Sequence, residues 1–147
     1  MTAAFLARII VTAIAAGQGI MPVFIDLNRT HATNPLWTGH ARFHLVQQVM
    51  TLLLASAVEV GLLWWTGSLP DERFYLAALL TATSLAGFLL AALARPLYGG
   101  TLRDPNGMPP LRIRTRRGVR ELDVNVPIVS IAAVMLLAAV LLFWRTT

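Results

Sequence analysis

This chain has no cysteine and no lysine, and only 13% of its 147 residues are charged. Without cysteine there are no disulfides, no thiol redox chemistry and no cysteine-ligated metal. A vitamin-K-reductase-like mechanism, which needs thiols, is excluded with them. The charge content is far below the roughly 25% of a soluble domain. All 12 basic residues are arginine, and the formal net charge is +5. The arginines flank apolar stretches, which points to membrane topology and anionic lipid headgroups rather than to nucleic acid. No internal repeat or low-complexity tract is visible.

What is there is hydrophobic sequence, 56% of the chain. Residues 9–25, 45–58, 74–94 and 124–144 carry no charge. The last two stretches hold 21 residues each. At about 1.5 Å per helical residue, each is long enough to cross a hydrocarbon core of roughly 30 Å. The first reaches that length if residues 3–8 are added, with Arg8 snorkelling to the surface. The second reaches it through Trp65 by enclosing Glu59. The expected fold is therefore all-α and membrane-embedded, a single antiparallel four-helix transmembrane bundle. Its spans should lie near residues 4–25, 43–65, 74–95 and 124–144. The first span lacks a clean small-x-small cleavage site, because Pro22, Phe24 and Asp26 follow it, so it is expected to be retained.

Four spans place both termini on one side. That side also holds the turn at residues 67–73 and carries Arg8, Arg73 and Arg145. The other side carries Arg29, Arg42, Arg95, Arg103, Arg112, Arg114, Arg116, Arg117 and Arg120. The positive-inside rule assigns the arginine-rich side to the cytoplasm. The expected location is a bacterial inner (plasma) membrane with the termini outside. Trp64, Trp65, Phe74, Tyr75 and Trp144 would form the outer aromatic belt, and Trp37, Phe43 and Tyr98 the inner one.

Between the spans, Gly67-Ser68-Leu69-Pro70 reads as a tight turn. Arg95-Pro96 should end the third span, with Gly99-Gly100 behind it. Asp104-Pro105-Asn106-Gly107 is a strong turn signal. From Leu111, apolar and arginine residues alternate, and Gly118 can turn the chain back. This pattern predicts a short β-hairpin at the cytoplasmic interface, with a disordered basic loop as the alternative.

All three histidines fall in the first arginine-rich segment. Thr38 or Gly39 can start the second helix, so His40 and His44 share a face one turn apart, and Gln48 continues it. With His31 folding back from the loop, or Asp26 or substrate completing the shell, these imidazoles are candidate metal ligands. Without a metal, His40 and His44 are candidate acid and base groups. Arg42 is a candidate for holding an anionic or enolate oxygen. Asn34, Trp37, Gln48 and Gln18 are candidate substrate contacts. Interfacial anchoring explains the histidines, arginine and tryptophan equally well.

Glu59 is the other candidate. It lies 15 residues beyond His44, about 22 Å along a helix, so the two cannot share one reaction centre. An intramembrane carboxyl must be neutral or paired. It is either a proton-accepting catalytic group or the partner of Gln18, Thr81, Thr83 or Ser84. Gly17, Gln18 and Gly19 favour close helix approach, and Pro22 and Pro127 kink or start their helices, which can open a pocket between them.

Asn34-Pro35-Leu36-Trp37, His40-Ala41-Arg42-Phe43-His44 and the later Glu59-Val60-Gly61 resemble the DoxX-like group of small four-helix membrane proteins. The histidine segment is most similar to a bacterial and fungal family of the same size. The resemblance covers mainly the first two spans. It implies the fold and the membrane location, and a link to membrane oxidoreductase complexes and quinone chemistry. Two functions follow as expectations. One is an enzyme acting on a lipophilic small molecule by oxidation, isomerisation or proton transfer. The other is a non-catalytic accessory subunit bound to a larger membrane-protein partner. No cofactor is specified by the sequence.

Overall fold

The protein is described here by a computed structural model covering residues 2–102, 109–116 and 118–146. Four helices carry the four apolar stretches: α1 (Ala3–Asp26), α2 (Gly39–Trp64), α3 (Pro70–Tyr98) and α4 (Asn125–Trp144). Between α3 and α4 stands a hairpin of β1 (Leu111–Thr115) and β2 (Gly118–Leu122). The turn expected at Asp104-Pro105-Asn106-Gly107 lies outside the described residues.

Local chemistry sets the helix ends. Thr2 and Thr38 cap α1 and α2 by accepting hydrogen bonds from Phe5 N and Ala41 N, which satisfies N–H groups that have no partner within the helix. Pro70 opens α3 at a position where its missing N–H costs nothing, and Asp71 and Glu72 follow in the positive first turn. The helix runs through Pro96 rather than stopping there, and ends at Gly99 (φ 67°), where glycine tolerates the left-handed backbone. One lost hydrogen bond in a last turn does not break a helix that is packed further back.

The helices run up and down in the order α1-α2-α3-α4, each packed on its neighbours, with α1 and α3 also touching across the diagonal. The apolar core is concentrated at the end bearing the α2–α3 turn. There Ala7, Val11, Leu63, Phe74, Ala77 and Phe143 are buried. The rings of Phe74 and Phe143 stack at 3.7 Å, and Tyr75 meets Phe143 edge-on.

Outside this core the surface is apolar. Only 17–22% of the residues in each hydrophobic window are buried by the rest of the chain. Leu54, Leu93, Val134 and Leu137 are among the many exposed large side chains. Such a surface is incompatible with water and fits a bilayer. The protein is a small integral membrane protein with four spans.

The hairpin pairs Leu111 with Leu122, Arg112 with Glu121 and Ile113 with Arg120. Arg112 Nε donates to Glu121 Oε1 at 3.3 Å. The alternation read from the sequence is thus a strand pattern.

Candidate intramembrane site

Three helices meet around a buried carboxyl. Gly19 of α1 lies against Ser56 of α2; a Cβ at Gly19 would overlap the Ser56 side chain and sit 3.3 Å from the Leu52 carbonyl. This close approach brings Gln18 within reach of α3, where its Nε2 donates to the Thr81 carbonyl at 3.2 Å. Glu59, one turn beyond Ser56 on α2, is 3% exposed. Its Oε2 lies 2.8 Å from Thr81 Oγ1.

Thr81 Oγ1 also lies 2.9 Å from the Ala77 carbonyl. The hydroxyl has one proton and so cannot donate to both oxygens at full strength. A protonated Glu59 resolves the conflict: its O–H donates to Thr81, and Thr81 donates to Ala77. An ionised Glu59 takes the Thr81 proton and leaves the carbonyl to its helical partner alone. The pair therefore accepts either protonation state by a hydroxyl rotation.

Beside Glu59 is a cavity of about 220 Å³, lined by Gln18, Thr51, Leu52, Ala55, Ser56, Glu59, Leu80, Thr83 and Ser84. It runs along α2 from Thr51 to Glu59, a distance of about 12 Å at helical rise. Thr51 and Thr83 are exposed, whereas Ser56 and Glu59 are buried. The cavity thus opens sideways between α2 and α3, and its polar groups deepen inward. Gln18, one of the partners foreseen for Glu59, lines the same cavity but bonds the Thr81 carbonyl instead. Thr81, among the partners foreseen for Glu59, is the one engaged. Ser56 was not foreseen, and its signal was its place three residues before an intramembrane carboxyl on the same helix face.

The other sequence candidates lie at the hairpin end of the bundle. In the loop from Asp26 to Thr38, Asn28 Nδ2 donates to the carbonyls of Phe24 and Ile25, and its Oδ1 accepts from Thr30. Asn34 is buried, with Nδ2 on the Thr30 carbonyl and Oδ1 accepting from Leu36 N. Both ends of its amide hold the loop. His31 contacts Thr30 Oγ1 at 2.7 Å, lies 3.8 Å from Asp26 and meets the Trp37 ring edge-on. His40 and His44 pair with each other on α2, their Nε2 atoms 3.0 Å apart. Both are exposed, as is Gln48, while Arg42 is half-buried. Two residues along a helix is a rotation of about 200°, so Arg42 faces away from the histidines. Among the described residues, no three histidine, aspartate or glutamate side chains form a metal-holding group, so His31 does not join the pair.

Arg8, expected to snorkel, reaches the α2–α3 turn at its end of the bundle. Its Nη1 donates to the Leu63 carbonyl at 2.6 Å, its Nη2 to the Pro70 carbonyl at 3.3 Å, and the guanidinium lies over the Phe143 ring. The last carbonyls of α2 have no helical partner and carry the negative end of the helix dipole, which draws the cation in.

No protein-family model, no curated protein and no solved structure matches this chain. The four-helix membrane architecture stands on the geometry alone, without a family assignment.

Proposed function

We propose that the protein is a small membrane enzyme that receives the hydrogen-bonding head of a lipophilic molecule in the α1/α2/α3 cavity, with Glu59 exchanging a proton with it. The observation that carries this reading is a cavity with a mostly apolar wall and six polar residues in its lining, open sideways between α2 and α3 and ending at a buried carboxyl. Pockets that enclose a drug-sized ligand measure about 300–1,000 Å³. A cavity of about 220 Å³ suits a head group whose tail stays in the bilayer. Ser56, Ser84, Thr83 and Gln18 supply donors and acceptors for carbonyl or hydroxyl groups. Glu59 would take a proton from the substrate and return it at another atom, an isomerisation that needs no second reactant. The sequence-level alternative centre at His40, Arg42, His44 and Gln48 has less support, because its imidazoles and its guanidinium face opposite ways. The arginine bias favours the hairpin end as cytoplasmic.

The test is photolabelling in detergent or nanodiscs with a diazirine-bearing long-chain benzoquinone and the matching long-chain phenol. Label should concentrate in peptides covering residues 51–59 and 80–84. Ser84→Phe, which fills the cavity, should abolish it, while Ala86→Phe on the other side of α3 should not. Equal labelling of both variants contradicts the proposal.

An accessory subunit is the second reading, favoured by an apolar groove of about 390 Å³ between α3 and α4, lined by Ala78, Ala82, Ala86, Leu136 and Leu137 among others. Gentle solubilisation that yields the chain alone contradicts it.

A further inference from the structure

We propose that His40 and His44 form a two-imidazole clip for a borderline divalent transition metal, with Cu²⁺ bound most tightly. The pair stands apart from the Glu59 cavity, at the opposite end of α2. Residues i and i+4 of a helix project side by side, and Thr38 fixes where that helix starts. The two Nε2 atoms are 3.0 Å apart, with the rings nearly perpendicular. Two nitrogens held about 2.0–2.1 Å from one metal, at a right angle to each other, stand about 3 Å apart. The imidazoles are therefore already spaced as neighbouring ligands of a square-planar or octahedral ion. In the metal-free pair one ring nitrogen donates to the other. A metal needs both Nε2 lone pairs, so binding leaves the hydrogen of each ring on Nδ1 and turns the rings until both lone pairs face an ion beside the N–N line.

The ligand chemistry selects the metal. The pair offers imidazole nitrogen, and no third histidine, aspartate or glutamate joins it among the described residues. Imidazole sites favour Cu²⁺, Ni²⁺ and Zn²⁺ over Mg²⁺ and Ca²⁺, which need oxygen ligands. Both rings are exposed, so the remaining coordination positions open outward to water or to a lipid phosphate. Phe43 packs edge-on against the His44 ring and limits its rotation. A bound ion would staple the first turns of α2.

The experiment uses the full chain in detergent, stripped with a chelator and titrated with Cu²⁺. Electron paramagnetic resonance should show one copper per chain carrying two imidazole nitrogens. That signal should be lost in His40→Ala and in His44→Ala, and kept in His31→Ala. Added copper should raise the melting temperature of the wild-type protein and of His31→Ala, but not of the other two variants. The exposed positions of His40 and His44 make the apo-protein melting temperatures a fair control for folding. Copper that remains on the His40→Ala/His44→Ala double variant, a signal lost in His31→Ala, or no copper bound at all would each overturn the proposal.

Discussion

Thr81 and Glu59 form a small machine with two hydrogen-bond arrangements, and substitutions separate its parts. Glu59→Gln reproduces the protonated arrangement, because an amide N–H can donate to Thr81 Oγ1 as the acid O–H does. Its melting temperature should stay close to wild type while any proton exchange with a bound ligand is lost. Thr81→Val removes the carboxyl's hydroxyl partner. Interhelical hydrogen bonds within membranes are worth about 0.6–2 kcal/mol, and a loss of that size should appear in denaturant titration in mixed micelles. Gly19 is the other critical residue. A methyl group there meets the Ser56 side chain and the Leu52 carbonyl, so α1 must move off α2. Gly19→Ala should cost about 1–3 kcal/mol, as overpacking does, and Ser56→Gly, by removing the Cβ and hydroxyl that the new methyl meets, should partly offset that cost in the double variant.

At the level of elements, α2 is held at its two ends by different means. A threonine hydroxyl caps its start, and the Arg8 guanidinium, borrowed from α1, caps its end. Arg8→Ala should therefore loosen the α2–α3 turn and lower stability by about 1.5–3 kcal/mol, the worth of hydrogen bonds made by a charged group. Arg8→Lys should restore only part, because one ammonium cannot present the same fork to the Leu63 and Pro70 carbonyls. The four helices were legible because uncharged runs of bilayer length have few alternatives. The hairpin was legible because Leu111, Arg112, Ile113 and Arg114 alternate with strand period. The Glu59–Thr81 pairing was half legible: a carboxyl in a membrane needs a partner, and Thr81 was one of four candidates. The carbonyls that Arg8 meets were not legible, since they depend on where the end of α2 lies in space. Nor was the separation of His31 from His40 and His44, which follows from the way Asn28 and Asn34 fold the loop. Residue type and spacing put the three imidazoles in one segment; only the loop's hydrogen bonds decide which way each one faces.

For the whole molecule, the decisive property is an apolar exterior around a mostly apolar interior that holds one small polar cluster. The buried hydrophobic contacts cluster at the turn end, whereas buried Ser56, Glu59 and Thr81 lie deeper along the bundle. With no native cysteine, single substitutions report on either end. Ser68→Cys and Val119→Cys, both at exposed positions, should react with a membrane-impermeant maleimide from opposite sides of a sealed vesicle, the second from the cytoplasmic side. Reaction of both from the same side contradicts the four-span topology. The cavity itself is tested most directly by a nitroxide at its mouth. On Thr83→Cys in a bilayer, a lipid-facing mouth gives strong relaxation by oxygen, which concentrates in lipid, and little by a water-soluble nickel chelate. A label relaxed mainly by the nickel chelate would mean that the cavity opens to water, and would contradict a site fed from the membrane.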